Sequence, residues 1–140
     1  PWKCQEKVRY IMDTFYGNKP DALSGNDDCG QMSAWYIFNT MGFYPTAPSS
    51  NVYNLGSPGL AAVDMKMSNG KHLRMTTGNW SARNVFVKEV YLNGKKYDKS
   101  YITYNDIKDG ADLHFVMSSR PNYKRGVAER AVPPSVSEKR

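Results

Sequence analysis

Apolar residues in the first part of the chain recur at the spacing of an amphipathic helix. The i, i+3, i+4 and i+7 positions are filled by Val8, Ile11, Met12 and Phe15. Gly17 and Pro20 follow, and these residues are typical of a helix end. The pattern therefore predicts a helix over residues 2–16. Its start has no side chain suited to cap the first free amides.

A second helical segment, residues 31–41, is apolar on nearly every side. Gly42 and Pro45 predict where it ends. The pattern predicts a helix that is buried nearly all round, and one other helix cannot cover so apolar an element. The sequence therefore implies more helices than it contains, which indicates a fragment of a larger helical unit.

After a short linker the spacing changes from helical to alternating. Val63, Met65 and Met67 alternate with polar residues, and Leu73, Met75 and Thr77 alternate with His72, Arg74 and Thr76. Asn69-Gly70 lies between the two runs, and this dipeptide accepts the positive φ angles of a tight hairpin turn. The sequence therefore predicts a β-hairpin over residues 61–78.

Three more runs suggest strands in the second half of the chain. The first run is Val85 to Leu92. The second, Tyr97 to Tyr104, follows a turn at Asn93-Gly94 and is predicted to pair back onto the first, and the third lies around Leu113, Phe115 and Met117. Five or six short strands at this spacing predict an antiparallel sheet or small sandwich. Residues 124–140 are rich in charge and include two adjacent prolines, so they predict a mobile tail or an extended arm.

Composition is that of a folded protein, with 40% hydrophobic and 23% charged residues among 140. The formal net charge is +6, but the basic residues are scattered and form no run of five or more. We interpret this charge as a solvated surface and expect no nucleic-acid partner. The sequence has no stretch of about 18 apolar residues, so it predicts no membrane span. Cys4 and Cys29 fit no CxxC metal motif. The sequence does not decide whether they form a disulfide with each other.

The segment between the two helices carries the most informative polar residues. Asp27 and Asp28 are adjacent, lie between Gly25 and Gly30, and immediately precede the second helix. Free amides and the helix dipole favour ionised carboxylates at such a place. A carboxylate of this kind is suited to act as a base, a nucleophile or a cation ligand.

Three interpretations of Asp27 and Asp28 are open from the residues alone. In the first, Asp28 caps the helix and Asp27 faces water. In the second, the loop binds calcium, although the spacing of an EF-hand is absent. In the third, one carboxylate belongs to a glycosidase, whose second carboxyl group must then come from elsewhere, because two adjacent residues cannot flank one glycosidic bond.

A longer pattern around these residues resembles a known family. It comprises the runs YGN at 16–18, PDAL at 20–23, GNDDCGQMSAWYIF at 25–38 and MGFYP at 41–45, followed by GSP at 56–58, LNGK at 92–95, KSYI at 99–102 and RPN at 120–122. Over roughly residues 2–123 the chain is similar to glycoside hydrolase family 92. The members of that family are calcium-dependent, inverting exo-α-mannosidases.

The resemblance implies an α+β chain in three parts. Residues 1–45 would be the closing helices of an (α/α)6 catalytic barrel, residues 46–123 an antiparallel β region packed on that barrel, and residues 124–140 the tail. The chain would then be a C-terminal portion of an enzyme, joined to or accompanied by its upstream part, and inactive alone. Secretion, the periplasm or the cell surface is the expected location.

The resemblance also implies roles for the acidic residues. Asp28 is the first choice, and Asp27 the second, for the general base that activates water during hydrolysis of terminal mannose from a glycan, with an α-1,2 linkage expected. The acid would be a Glu upstream of this chain, and calcium would be held largely by upstream residues, so no metal ligand is assigned. The alternative is a stand-alone β-rich module that binds a carbohydrate or a cation without catalysis.

Overall fold

A computed structural model of the chain describes residues 1–47 and 49–135. Two helices come first, α1 at Trp2–Phe15 and α2 at Gln31–Thr40. Eight strands follow, at Phe43–Tyr44 (β1), Val52–Leu55 (β2), Ala62–Lys66 (β3), His72–Gly78 (β4), Phe86–Leu92 (β5), Lys95–Lys96 (β6), Tyr101–Thr103 (β7) and Ala111–Ser118 (β8). A short helix α3, Tyr104–Ile107, joins β7 to β8, and a 3-10 helix covers Glu129–Ala131. None of the helices in the described part of the chain is long and apolar enough to cross a lipid bilayer.

The helix α1 lies against the β half of the chain with a partly polar face. Of its predicted apolar stripe only Met12 is buried, together with Gln5 and Arg9. The side-chain oxygen of Gln5 accepts a hydrogen bond from the backbone N–H of Val87 at 3.1 Å. The guanidinium of Arg9 donates to the carbonyl of Pro58. These two polar side chains attach the helix to the strands and to the loop after β2.

The sequence predicts that α2 is buried nearly all round by more helices than the chain contains, and within the described residues one side of this helix lies uncovered. Ile37 is 56% exposed and Tyr36 is 39% exposed. The reason is that α2 packs mainly on α1 and β1, so the opposite side of the helix has no covering element. The predicted end is confirmed, because Gly42 has a φ of +91° and its N–H donates to the carbonyl of Asn39 at 3.0 Å.

The strands form two sheets around one core. The smaller sheet has the order β1-β2-β7, and the larger has the order β3-β4-β8-β5-β6. The predicted hairpin is confirmed as β3 and β4, with Met65 opposite Leu73. Buried apolar side chains from both sheets belong to one cluster, which includes Phe43, Leu55, Leu73, Met75, Val90, Ile102, Leu113, Phe115 and Met117. Because β1 pairs with β2, a sheet joins the regions predicted as 1–45 and 46–123.

The prediction of an all-antiparallel sheet is wrong at one place. The strands β4 and β8 are parallel, with Leu73 opposite Ala111 and Gly78 opposite Val116. Alternation does not reveal strand direction, since a parallel and an antiparallel neighbour bury the same alternate side chains. The larger sheet is therefore mixed. The barrel predicted for the helical part stays a prediction, because two helices do not define one.

The predicted return strand over residues 97–104 is also wrong. Lys95 and Lys96 pair back onto β5, and the N–H of Tyr97 donates to the carbonyl of Val90 at 2.8 Å, where this pairing ends. The segment Tyr101–Thr103 crosses to the smaller sheet, where Ile102 lies opposite Tyr53 of β2. Ile102 is fully buried there, so burial in the shared core accounts for the crossing.

The described part of the C-terminal segment, residues 124–135, packs on the body of the chain. Arg125 is buried, and its Nη2 donates to the carbonyls of Tyr97 at 3.3 Å and Lys99 at 2.9 Å. The carbonyl of Ala131 accepts hydrogen bonds from the N–H and the hydroxyl of Ser100, at 2.7 and 2.9 Å. This is a docked arm over the described range. The rest of the predicted tail, residues 136–140, lies outside the described residues.

Candidate functional site

Tyr16 fixes the loop between α1 and α2 against the second helix. Its backbone forms a bridge with Leu23, and its hydroxyl donates to the carbonyl of Met32 at 3.2 Å. Its ring stacks with those of Trp35 and Tyr36, at centroid distances of 5.5 and 4.9 Å. Burial raises the pKa of the Tyr16 phenol, and the charge of Asp27 raises it further. The phenol is therefore a neutral hydrogen-bond donor beside the acidic residues.

A left-handed turn, residues 28–30, leads from this loop into α2. The φ angles are +50° at Asp28, +60° at Cys29 and +89° at Gly30. Glycine adopts this conformation freely, but for residues with a Cβ it costs roughly 1–2 kcal/mol each. Two such residues in succession make a conformation that the surroundings must hold in place. Backbone strain of this kind concentrates at functional sites, which makes this turn the candidate site.

Asp27 is the residue that holds the start of α2. Its carboxylate is half-buried and accepts two hydrogen bonds from Ser33, one from the backbone N–H and one from the hydroxyl, both at 2.8 Å. Hydrogen bonds to a charged group contribute about 1.5–3 kcal/mol each, so the two together match the cost of the left-handed turn. The interpretation in which Asp28 caps the helix and Asp27 faces water is therefore wrong.

Asp28 presents a free carboxylate on the same turn. The residue is exposed, and within residues 1–47 and 49–135 its side chain has no hydrogen-bond or ion-pair partner. Its main-chain carbonyl is engaged, because it accepts the N–H of Gln31 at 3.2 Å. The two adjacent acids thus differ: Asp27 is occupied by Ser33, whereas Asp28 is available to accept a proton or to contact a ligand.

An apolar cavity of about 370 Å³ opens between the two helices beside this loop. Its lining consists of Ile11, Phe15, Tyr16, Ser24, Gln31, Met32 and Trp35. Aromatic rings supply much of the wall. Asp27 and Asp28 do not line this cavity, so the free carboxylate and the cavity are separate features of the same loop region.

The acid that a glycosidase would need is not found at this turn. Of the described glutamates, Glu6 is exposed on α1 and Glu129 is exposed in the 3-10 helix. Glu89 is engaged elsewhere, where its carboxylate accepts the hydroxyl of Tyr91 at 2.9 Å and lies 3.8 Å from the ammonium of Lys96. The described chain therefore supplies one free carboxylate at the turn, without a second carboxyl group assigned to act with it.

The donor set does not fit a complete calcium site. Calcium takes six to eight oxygen ligands in proteins. Among the side chains that the structure describes, no group of three or more His, Cys, Asp or Glu could hold a metal ion. Asp27 and Asp28 alone do not make such a site.

The two cysteines do not form the disulfide that the sequence allowed, since Cys4 and Cys29 are both free thiols.

Sequence reasoning found the two acids and missed the residues that hold them. Ser33 lies six positions after Asp27, which is longer than the spacing of an ordinary cap, so no local pattern marks it. Tyr16 lies at the end of the first helical pattern and gives no signal of its contact with α2. Both are recognised only once the loop is folded back on the helix.

Comparison with known proteins identifies similar chains. Residues 1–119 match the family model described as the glycosyl hydrolase family 92 catalytic domain. Among curated proteins, an uncharacterized secreted glycosidase of Arthroderma benhamiae is 29% identical over 97% of this chain.

Solved structures are similar over almost the whole chain. A family GH92 α-mannosidase from Bacteroides thetaiotaomicron is 67% identical over 99% of the chain, with a TM-score of 0.95. The same enzyme in complex with mannoimidazole gives 68% identity over 98%, also at 0.95. A family GH92 inverting mannosidase from the same species is 35% identical over 99%, with a TM-score of 0.91. The chain spans only 18–19% of the length of these three relatives.

Proposed function

Because this chain belongs to glycosyl hydrolase family 92, we propose that it supplies the general base of an inverting, exo-acting α-mannosidase. The observation that carries the proposal is the free carboxylate of Asp28, held on a left-handed turn within the matched residues. The similar structures described as mannosidases, one of them with mannoimidazole bound, support mannose as the sugar. In this proposal residues 1–45 are the closing helices of the (α/α)6 barrel, and the chain acts with the rest of a longer enzyme.

The proposed chemistry assigns the proton transfer to Asp28. Its carboxylate takes a proton from a water molecule, whose oxygen then attacks the anomeric carbon of the terminal mannose. The bond from that carbon to the leaving oxygen breaks, and a carboxylic acid on the opposite side protonates that oxygen. In inverting enzymes the two carboxyl groups stand about 6.5–9.5 Å apart, which leaves room for the water. Asp27 cannot be the acid, since it is adjacent to Asp28 and bound by Ser33.

Calcium remains a proposal from the family resemblance alone. The described residues do not form a complete site, so any calcium would depend on ligands outside them.

The natural substrate and the location are also proposals. We propose a glycan with terminal α-1,2-linked mannose. A relative named as a secreted glycosidase supports action outside the cytoplasm, at the cell surface, in the periplasm or in the medium.

Asp28→Asn in the full-length protein tests the base directly. We expect kcat for mannose release from α-1,2-mannobiose to fall by about 10²–10⁴-fold, the usual contribution of a general base. Asp109→Asn is the matched control, since it removes the charge of another exposed aspartate and should keep activity. Azide should restore turnover of an activated aryl α-mannoside to Asp28→Ala by giving the β-mannosyl azide. Near-normal kcat in Asp28→Asn would show that the base lies elsewhere.

Stereochemistry tests the inverting mechanism independently. Proton NMR during the first minutes of hydrolysis should show β-mannose appearing before it mutarotates, because direct attack by water inverts the anomeric centre. If α-mannose appeared first, the enzyme would be retaining and Asp28 could not serve as proposed.

The alternative is a β-rich module that binds a carbohydrate or cation without catalysis. The family match disfavours it, because residues 1–119 match the model of a catalytic domain. In our proposal the 140 residues alone release no mannose. Cooperative unfolding of the isolated chain, together with full-length activity unaffected by Asp28→Asn, would favour the module instead.

A further inference from the structure

We propose that Asp27 and Ser33 are positioning residues that aim the carboxylate of Asp28. This inference rests on the proposed role of Asp28 as general base. The geometry behind it is the pair of 2.8 Å hydrogen bonds from Ser33 to Asp27, which joins the residue before the left-handed turn to the first turn of α2.

The direction of the Asp28 carboxylate depends on the backbone, since no described residue forms a hydrogen bond or an ion pair with it. Asp28 has a φ of +50°, and an unrestrained residue with a Cβ prefers the right-handed region near −60°. That change would rotate the backbone by about 110° and turn the side chain away from its present direction. Whatever holds the ends of the turn together therefore sets where the carboxylate points.

The Asp27–Ser33 pair is the side-chain contact that closes this turn. It acts beside two backbone hydrogen bonds, from Gln31 to the carbonyl of Asp28 at 3.2 Å and from Met32 to the carbonyl of Asp27 at 3.1 Å. These backbone bonds are longer than the 2.8 Å bonds of the pair and have neutral acceptors, so they are the weaker restraint. Without the pair, these longer backbone bonds still hold the turn, but it has more freedom to relax.

The same contacts separate the positioning role from a catalytic one for Asp27. Each of its two carboxylate oxygens accepts a hydrogen bond from Ser33, whereas the oxygens of Asp28 accept none from the described residues. A water molecule that approached Asp27 would have to compete with both of these hydrogen bonds. Asp27 therefore acts on the reaction through Asp28.

Steady-state kinetics of the full-length enzyme on α-1,2-mannobiose test the inference. Ser33→Ala removes the hydroxyl bond, and we expect kcat to fall by about 10- to 100-fold with KM changed less than about threefold, since a small misplacement of a catalytic group affects the transition state more than substrate binding. Ser33→Thr keeps the hydroxyl and should recover most of that loss. Asp27→Asn weakens the same contact, so the double variant Asp27→Asn with Ser33→Ala should be no worse than the more impaired single variant.

The cap of α3 provides a chemically matched control. There the carboxylate of Asp106 accepts hydrogen bonds from the N–H and the hydroxyl of Thr103, both at 2.7 Å. Thr103→Val removes the equivalent hydroxyl in another element, so it should lower the melting temperature without lowering kcat. If Ser33→Ala behaves in the same way, with kcat unchanged for the folded enzyme, the contact is only structural and the inference is overturned.

Other outcomes identify which claim has failed. An inactive Asp28→Asn together with a fully active Ser33→Ala removes the positioning role and leaves the base in place. An active Asp28→Asn with an inactive Asp27→Asn makes Asp27 the base, which overturns both claims. If Ser33→Ala does not fold, Asp27→Asn alone decides the question, because its side chain keeps one acceptor oxygen for the N–H of Ser33. An unchanged kcat in Asp27→Asn would then overturn the inference.

Discussion

Replacing Gly42 with alanine should destabilise the fold through two separate effects. Gly42 ends α2 with a φ of +91°, a conformation that alanine adopts only with strain. A Cβ at this position would lie 3.0 Å from Cζ of Phe115 and 3.2 Å from Cβ of Pro58. Phe115 is fully buried in the core that the two sheets share, so its ring is surrounded by packed side chains.

The two effects can be given magnitudes. The left-handed conformation costs roughly 1–2 kcal/mol for a residue with a Cβ. Forcing an added methyl group into a packed core costs about 1–3 kcal/mol more. Gly42→Ala should therefore lower the free energy of unfolding by about 2–5 kcal/mol, an amount comparable with the whole stability of a marginal domain.

Gly70→Ala isolates the first effect. Gly70 has a φ of +78°, but a Cβ there would meet nothing within 4 Å. Urea unfolding of the two variants and of the unsubstituted protein, followed by tryptophan fluorescence, gives the decrease in the free energy of unfolding that each substitution causes. The difference between the two decreases is the cost of packing the added methyl group at Gly42. We expect Gly42→Ala to exceed Gly70→Ala by at least about 1 kcal/mol. Equal losses would refute the close contact of Gly42 with Phe115 and Pro58.

Two further stability predictions follow from buried polar groups. Gln5→Leu should cost about 1–3 kcal/mol and speed amide exchange at Val87, because the buried N–H of Val87 loses its acceptor; unchanged exchange would contradict that contact. Burial raises the pKa of Tyr97 from 10.0 to about 12, because the ionised phenol is disfavoured in the folded state. The free energy of unfolding should therefore be unaffected by this group below pH 10 and should fall as the pH rises from 10 towards 12. Urea unfolding at pH 9 and at pH 11 measures this fall in the free energy of unfolding, and we expect the fall to be smaller in Tyr97→Phe. The substitution should not destabilise the protein at pH 7, since the Tyr97 hydroxyl is buried without a partner among the described residues. An equal fall in both proteins would contradict the proposed burial of the phenol.

Local signals in the sequence predicted the elements well. The end of α2 at Gly42 and the hairpin around Asn69-Gly70 depend on residues within a few positions of one another. Glycine at a helix end and a turn between two alternating runs constrain the backbone by themselves, without help from distant residues.

Pairing between distant segments could not be predicted in the same way. The strands β4 and β8 are parallel and are joined through three intervening strands and α3, while Tyr101–Thr103 leaves β5 to pair with β2. These strand pairings place Ile102 and Phe115 in the same buried core. Which pairing achieves this depends on the packing of the whole core. Alternating polarity carries no information about it.

At the candidate site, the sequence located the acidic turn and left the duties of its two acids open. The residue types of Asp27 and Asp28 are identical, so only the backbone distinguishes them. The left-handed conformation falls on Asp28 and Cys29. Asp tolerates this conformation better than most residues with a Cβ, but that preference is the same for Asp27 and Asp28 and does not separate them. That conformation directs Asp27 to Ser33 and leaves Asp28 free.

A division of labour between the two acids has a physical reason under the proposed mechanism. A general base is protonated once in each turnover, and protonation removes the charge that makes its hydrogen bonds strong. If Asp27 were the base, each turnover would weaken the two bonds from Ser33 that hold the left-handed turn. With Asp28 as the base, the charge on Asp27 persists through the cycle, and the turn keeps its conformation while the neighbouring carboxylate gains and loses its proton.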